Sequence, residues 1–275
     1  MPGALFRACQ ISSAGLWAAA LLLFATPALA DTWQRHPGSA DCFKDLIVDT
    51  GRIKRITDGD TVVLQDSRRV RLIGINTLEL NDPNRQLRDL AVNAQQALTA
   101  LVSPGEPVLL YVGNESHDRH KRVLAHVVRA SDKLAVSQVL LEQGHAMQSA
   151  VAPNTLCADF FRTLETSARE NDYGLWQSDS LLSTAAPSIN KKSRGFKLIT
   201  GTVSHVKKQA RHTQLILDNR FTIRVRSELA NALDKTRALH NLKGQTVEIR
   251  GWLSRSKSRT QLWLQHPANL RILEP

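Results

Sequence analysis

The sequence predicts a mainly β protein with packed helices, of the α+β class, built from two small β-barrels in succession. Two observations support this fold class. The order of three strands, one helix and two strands occurs twice, once before residue 178 and once after residue 196. An Asp58-Gly59-Asp60 turn lies between two β-prone runs, and Asp-Gly in that position is typical of a hairpin. An apolar content of 42% is enough for a sizeable core and excludes wholesale disorder.

The first 30 residues have the pattern of a secretory signal. Arg7 is their one charged side chain, and residues 14–25 form an unbroken apolar run. That run is shorter than the roughly 20 residues that span a bilayer. Ala28 and Ala30 supply the small residues that signal peptidases recognise, so we expect cleavage after Ala30. The expected product is exported to the periplasm or exterior of a bacterial cell, with no stable membrane insertion; the alternative is an uncleaved anchor.

Three cysteines occur in the chain, and cleavage of the signal would remove Cys9. Cys42 and Cys157 would then remain. A pair of cysteines in an exported chain favours one disulfide. The alternative is two buried free thiols.

Hydrophobic periodicity predicts the elements of residues 31–178, the first predicted domain. Short β-prone runs flank the Asp-Gly-Asp turn, and longer stretches with apolar residues on one face are typical of helices. The predicted strands lie at 53–56, 62–64, 70–75, 107–112 and 122–128, and the predicted helices at 85–103, 134–142 and 156–171. Gly174 is typical of a helix C-terminus and ends this unit.

Four short motifs follow one another within residues 49–178. They are 57–61 (TDGDT), 71–79 (RLIGINTLE), 118–125 (DRHKRVLA) and 174–176 (GLW). In this order and at this spacing they resemble the staphylococcal nuclease (thermonuclease) family. The resemblance implies a five-stranded OB-type barrel with packed helices. It also implies cleavage of phosphodiester bonds in DNA or RNA that depends on Ca²⁺ or another divalent cation.

The resemblance also implies a role for each matching residue. Glu79 resembles the general base, and Arg71 and Arg122 resemble the two guanidinium groups that bind the phosphate. Arginine suits this role because its planar fork binds phosphate through two hydrogen bonds and stays charged. The other matching positions are Asp60 as a direct metal ligand, Thr77 as a ligand through its backbone carbonyl, and Asp58 and Asp118 as supporting acids. Each of these residues taken alone is equally typical of a turn or a solvated surface.

Two residues depart from the family pattern. Asn76 stands where the family has Asp, which keeps an oxygen ligand but removes one negative charge. Since Ca²⁺ affinity depends on the charge of the ligands, we predict weaker Ca²⁺ binding or a relaxed choice of divalent ion. Leu78 stands where the family has Pro, and this predicts a looser loop around Glu79.

Other catalytic patterns are weak in this sequence. His117 and His120 lie near His126, but a His-x-x-His spacing alone does not indicate a zinc site. The sequence contains no Walker loop, no Gly-x-Ser-x-Gly motif and no His-Glu-x-x-His motif. A nucleotide-driven motor and a zinc protease are therefore excluded.

Positive charge is concentrated at the end of the chain. Residues 31–190 carry 17 basic and 20 acidic side chains, whereas residues 191–275 carry 18 basic and 5 acidic ones. Such a block favours a polyanionic partner, although a solvated basic face is the simpler alternative. Residues 179–195 are rich in Ser, Ala, Lys and Pro and predict a linker. Residues 196–275 predict a second OB-like barrel, with a helix at 228–240.

Basic and aromatic side chains alternate in this second barrel in a way that suits single-stranded nucleic acid. The predicted nucleic-acid-binding residues are Arg224, Arg226, Arg250, Trp252, Arg255, Lys257 and Arg259. Trp263, between two leucines, is predicted to be a core residue, and Trp252 fits either role. The predicted partner is DNA or RNA. The alternatives are a nucleic-acid-binding protein with an inactive nuclease barrel, and binding of anionic surfaces by the tail alone.

Overall fold

A computed structural model describes residues 42–236, 239–256 and 259–273. The predicted signal peptide and Lys257 therefore lie outside the described residues. Across these three ranges, no helix is both long enough and apolar enough to cross a membrane.

The first part of the chain is a closed five-stranded barrel with three helices. Strand β1 pairs with β2, β2 with β3, β3 with β6, β6 with β5, and β5 again with β1. All neighbours are antiparallel except β3 and β6. Its elements are β1 (Ile47–Asp58), β2 (Thr61–Leu64), β3 (Arg69–Leu72), β4 (Ile75–Asn76), α1 (Arg85–Leu101), β5 (Pro107–His117), β6 (Val123–Arg129), α2 (Val136–Glu142), β7 (Met147–Gln148) and α3 (Ala158–Glu170).

The predicted third strand is interrupted at Gly74. This residue has φ +85°, a left-handed conformation that favours glycine, and a Cβ here would lie 2.4 Å from the ring of Phe161. The chain turns at this point and continues as β4, which pairs with β7. The turn brings the segment after residue 74 to the mouth of the barrel.

The second part of the chain repeats the same barrel topology. Strands β9, β10, β11, β13 and β12 close on one another through the pairing of β12 with β9, and β11 runs parallel to β13. Its elements are α4 (Asp179–Leu182), β8 (Ser183–Ala185), β9 (Phe196–Lys208), β10 (His212–Leu217), β11 (Phe221–Arg226), α5 (Ser227–Thr236), β12 (Thr246–Ser256), β13 (Arg259–Leu264) and β14 (Leu270–Ile272). The predicted α+β class with two five-stranded barrels is confirmed.

Residues 179–195, which we predicted as a linker, contain regular structure. Strand β8 pairs with β9, and Leu182 and Ile189 are buried in two different apolar clusters. The Ser and Pro content of this segment suggested a spacer. In the structure, its apolar residues pack into the two clusters instead. Of the predicted helix at 228–240, the described residues form α5 over Ser227–Thr236 and a turn of 3-10 helix at Leu239–Leu242.

A buried cluster of four charges joins α3 to β12 of the second barrel. Arg250 Nη1 lies 2.6 Å from Glu165 Oε2, and Arg169 Nη1 lies 2.9 Å from Glu248 Oε2. Each carboxylate also contacts the other guanidinium, at 2.5 Å from Arg250 Nη2 to Glu248 and 3.1 Å from Arg169 Nε to Glu165. Arg250 is 4% exposed. The prediction that Arg250 binds nucleic acid is therefore wrong, because its charge is used inside the protein.

A second polar contact joins the barrels near the end of the chain. Asn269 accepts a hydrogen bond from the Ala150 amide at 3.0 Å and donates one to the Ala150 carbonyl at 2.7 Å. Arg162 donates to the carbonyls of Ala268 and Leu270. Buried polar groups of this kind have a strong orientational requirement, since a misaligned donor or acceptor would be left unpaired. The two barrels are thus held in one arrangement.

Cys42 and Cys157 meet beside the first barrel. Their sulfur atoms lie 2.07 Å apart, and 115 residues separate them in the sequence. Cys157 immediately precedes α3, so this contact ties the start of the described chain to that helix.

The charge cluster generates a stability prediction. Arg250→Met leaves Glu165 and Glu248 with less compensating charge in a buried site, and we expect it to lower the free energy of unfolding by about 3 kcal/mol. Arg255→Met is the matched control, because Arg255 is exposed on the same strand. Urea unfolding followed by circular dichroism measures both variants. Equal stability of the two variants would contradict a structural role for the cluster.

Candidate active site

One cavity at the mouth of the first barrel collects the residues that the motifs predicted. Its volume is about 110 Å³. The lining residues come from five parts of the chain. These are the turn at the end of β1, strand β3, β4 with the segment after it, Arg122 just before β6, and one strand of the second barrel. The lining residues are Asp58, Asp60, Arg71, Asn76, Thr77, Leu78, Glu79, Arg122 and Trp252.

The Asp58-Gly59-Asp60 turn provides two carboxylates. The Asp60 amide donates a hydrogen bond to Asp58 Oδ1 at 3.0 Å, which fixes the turn. A Cβ on Gly59 would lie 2.9 Å from the Thr77 side chain, so only glycine allows the turn to approach the segment after β4 this closely. The predicted hairpin therefore also forms one wall of the cavity.

Asp60 is the centre of a buried hydrogen-bond network. Its Oδ2 atom lies 3.0 Å from Arg71 Nη2, and it accepts hydrogen bonds from the Thr77 amide at 3.0 Å and the Thr77 hydroxyl at 3.1 Å. Arg71 is 8% exposed and Asp60 6% exposed. The pair therefore fixes the Arg71 guanidinium in a low-dielectric setting, where charge interactions are strong.

Asn76 bridges two other members of the network. Its side-chain oxygen accepts from Arg71 Nη2 at 3.1 Å, and its amide nitrogen donates to the Thr77 carbonyl at 2.9 Å. In this arrangement Asn76 orients a guanidinium and occupies one lone pair of the predicted metal-binding carbonyl. An aspartate here could still accept from Arg71, but it could not donate to Thr77.

Arg122 is held by Asp118, four residues earlier. Arg122 Nε donates to Asp118 Oδ2 at 2.7 Å, and Asp118 Oδ1 accepts from the amides of His120 and Arg122. Burial raises the pKa of Asp118, but the hydrogen bonds and charge of Arg122 outweigh it and lower the pKa below its usual value. Asp118 therefore stays ionised and positions Arg122, which also reaches the Thr61 hydroxyl at 3.3 Å.

Glu79 is exposed at the edge of the cavity, on the loop between β4 and α1. The amide of Asp82 donates to the Glu79 carbonyl at 3.1 Å, which forms a turn directly after Glu79. Leu78 packs against the apolar cluster that contains Met147, Leu175 and Trp176. The leucine that replaces the family's proline thus anchors the loop by packing.

The two acids of the turn repel one another. Burial and the nearby Asp60 carboxylate raise the pKa of Asp58 to about 6. The raised pKa of Asp58 reflects first its loss of hydration and then the repulsion from Asp60. Within the described ranges, no group of three or more His, Cys, Asp and Glu residues could hold a metal ion. A cation here would therefore depend on the two carboxylates together with amide or carbonyl oxygens.

The histidines lie away from this chemistry. His117 and His120 are exposed, on and after the end of β5. His126 is 4% exposed and stacks on Phe43 with ring centres 4.6 Å apart. Burial lowers the pKa of His126 to about 3, so it is neutral in the folded protein. None of these three histidines is among the residues that line the first cavity.

A second cavity lies on the outside of the second barrel. It is a groove that includes Arg224, Arg259 and two residues that sequence reasoning missed, Lys191 and Arg220. Beside it, Arg224 and Arg226 each lie 5.5 Å from the ring of Trp263. Arg255 is exposed and donates to the Lys191 carbonyl at 2.7 Å, whereas Lys257 lies outside the described residues.

Two tryptophans differ from the sequence-based expectation. Trp263 was predicted to be a core residue, and this is wrong: it lies half-buried on the barrel surface, while Leu262 and Leu264 point inward. Strict alternation along β13 was the signal that could have shown this. Trp252 is 43% exposed and lies at the first cavity, apart from the groove. Its sequence neighbours gave no sign of that position.

Two comparisons with known proteins agree with this geometry. Residues 69–178 match the family described as staphylococcal nuclease homologue. The chain is 26% identical over 160 residues to a protein named Endonuclease YhcR from Bacillus subtilis (strain 168), and that alignment covers 54% of this chain but only 13% of the Bacillus protein. The resemblance read from the four motifs is confirmed for residues 69–178, which match the staphylococcal nuclease family.

Proposed function

We propose that the chain is an exported, metal-dependent nuclease that hydrolyses phosphodiester bonds in DNA or RNA. The observation that carries this proposal is the cavity in which Arg71, Arg122 and Glu79 surround the carboxylates of Asp58 and Asp60. Phosphodiester hydrolysis needs cations around the phosphoryl oxygens and a base that activates water. Arg71 and Arg122 supply the cations and Glu79 supplies the base, and these side chains come from separate parts of the first barrel.

In the proposed reaction, Arg71 and Arg122 bind the non-bridging oxygens of the scissile phosphate. A water molecule attacks the phosphorus while Glu79 takes its proton. The bond from phosphorus to the leaving oxygen breaks, and that oxygen takes a proton from solvent. The hydrogen bonds of Asp60 and Asn76 to Arg71 and of Asp118 to Arg122 favour this step, because the guanidinium groups are oriented before the substrate arrives.

The cavity residues fit Ca²⁺ or another hard divalent cation. The candidate ligands are oxygen atoms, from the side chains of Asp58 and Asp60 and the carbonyl of Thr77, which is the donor set that Ca²⁺ prefers. The two neighbouring carboxylates of Asp58 and Asp60 at this cavity support a cation, since a positive charge there would relieve their mutual repulsion. When bound, such a cation would supply charge neutralisation at the phosphate and acidify a water molecule. Asn76 contributes less, because its oxygen already accepts from Arg71.

The groove of the second barrel supports a role in holding the substrate. Arg224, Arg226 and Trp263 combine positive charge with an aromatic surface, which suits a single-stranded backbone and its bases. We propose DNA or RNA as the partner of this groove. The same groove would serve the second candidate function, a nucleic-acid-binding protein with a weakened nuclease barrel.

The first prediction concerns Glu79. Glu79→Gln removes the base but keeps the size of the side chain, so we expect kcat for single-stranded DNA or RNA to fall at least about a hundredfold. Affinity for the same oligonucleotide should change little. The measurement is digestion of end-labelled oligonucleotide in Ca²⁺, Mg²⁺ or chelator, with binding measured in parallel. Glu170→Gln, at an exposed position at the end of α3, is the matched control.

The outcomes separate the two candidate functions. Metal-dependent cleavage that Glu79→Gln abolishes supports the nuclease. Binding without metal-dependent cleavage, unaffected by Glu79→Gln, would leave the nucleic-acid-binding protein. Equal salt-dependent affinity for heparin and for single-stranded DNA would instead indicate binding of anionic surfaces by the tail.

The second prediction concerns Asn76. Asn76→Asp adds a negative charge and removes the hydrogen bond that occupies the Thr77 carbonyl, so we expect Ca²⁺ to bind on the order of tenfold more tightly. Calorimetric titration with Ca²⁺ and the Ca²⁺ concentration for half-maximal digestion measure this change. Asn171→Asp controls for added charge at an exposed position. Unchanged or weaker Ca²⁺ binding in Asn76→Asp would overturn this account of the substitution.

The third prediction concerns export. We propose that residues 1–30 are removed and that Cys42 and Cys157, which meet beside the first barrel, form a disulfide in an oxidising compartment. Intact-mass spectrometry of the protein recovered from a bacterial periplasm or medium should give the mass of residues 31–275. Before reduction that mass should be lower than after reduction by the mass of two hydrogen atoms. Full-length chain in which Cys9, Cys42 and Cys157 all react with an alkylating probe would contradict both parts.

A further inference from the structure

Trp252 differs in kind from the other residues of the first cavity. The cavity is lined mainly by charged and polar side chains of the first barrel, whereas Trp252 comes from β12 of the second barrel. It is 43% exposed, although tryptophan in a barrel is commonly buried. A large aromatic surface thus faces solvent beside the two arginines that bind phosphate in the proposed reaction.

The position of Trp252 is fixed by its strand. Residues two apart in a strand point to the same face, so Trp252 lies on the same side of β12 as Arg250. Arg250 is buried against Glu165 of α3, which fixes that face against the first barrel. Trp252 also pairs with Phe196 in the strand register, and their rings meet edge to face with centres 4.8 Å apart. The indole is therefore held in place and not merely left at the surface.

The chemistry of this position favours a nucleobase. A flat aromatic ring beside guanidinium groups matches a nucleotide, in which a base lies next to a phosphate. Stacking of a base on an aromatic side chain strengthens binding and is tolerant of sequence. A base within a duplex is already stacked on its neighbours and is not available to Trp252. The site would therefore favour unpaired bases.

We infer that Trp252 is a positioning residue that stacks on the base next to the scissile phosphate, so that both barrels form one active site selective for single strands. This inference rests on the proposed nuclease function. The groove near Trp263 would hold the strand away from the scissile phosphate, whereas Trp252 would contact a base beside it. This contact would give the second barrel a direct part in substrate selection.

The test compares an ordinary single-stranded oligonucleotide with an abasic strand of the same length. Trp252→Ala should raise KM for the ordinary strand about tenfold with little change in kcat. Trp252→Phe should restore most of the loss. The abasic strand should be cleaved equally by wild type and Trp252→Ala. Tyr173→Ala, at an exposed aromatic residue outside both cavities, should behave as wild type.

A second readout does not depend on turnover. In a Glu79→Gln background that also carries Trp263→Phe, which removes the tryptophan beside the groove, an ordinary oligonucleotide should quench tryptophan fluorescence. Adding Trp252→Phe should remove most of that quenching. An equal loss of activity on ordinary and abasic strands, or no loss at all, would overturn the inference. If wild type cleaves neither strand, the proposed nuclease function has failed, and the fluorescence measurement alone decides whether Trp252 stacks on a base.

Discussion

The buried pairing of Arg169 and Arg250 with Glu165 and Glu248 determines how the two barrels meet. Each ion alone would be costly to bury, and the cluster is acceptable because every charge has at least two partners of opposite sign. Burial raises the pKa of Glu248, but Arg250, Arg169 and the nearby Arg271 lower it to about 2. The cluster therefore specifies a single arrangement, since a shift of β12 along α3 would leave buried charges unpaired. The position of Trp252 at the candidate site follows from it.

The site itself depends on a second buried network of the same kind. Asp60 joins the turn after β1 to Arg71 on β3 and to Thr77 beyond β4, so three separated segments share one carboxylate. Asn76 completes this network where the family has an acid. The network orients Arg71, and the side-chain oxygen of Asn76 is used to accept a hydrogen bond from that guanidinium.

The motif residues could be predicted because each motif is contiguous and its chemistry is local. The hairpin turn, Arg71, Glu79 and the Asp118–Arg122 pair all lie where the sequence indicated. Arg250 was assigned wrongly because its partner Glu165 lies on α3, far away in the sequence. The place of Trp252 at the first cavity could not be predicted, because the other residues of that cavity belong to the first barrel. Trp263 was misread for another reason: the apolar residues on both sides suggested a core, although alternation along a strand directs them to the opposite face. Residues 179–195 were misread as a linker because amino-acid composition does not show which distant residues their buried apolar side chains pack against.

The central claim is that a nuclease site in the first barrel is completed by the second. A crystal structure of Glu79→Gln grown with Ca²⁺ and a short single-stranded oligonucleotide tests it most directly. The account predicts a phosphate bound by Arg71 and Arg122, a cation at Asp60, and the neighbouring base stacked on Trp252. An oligonucleotide bound only in the groove beside Trp263, with no phosphate at the two arginines, would contradict it.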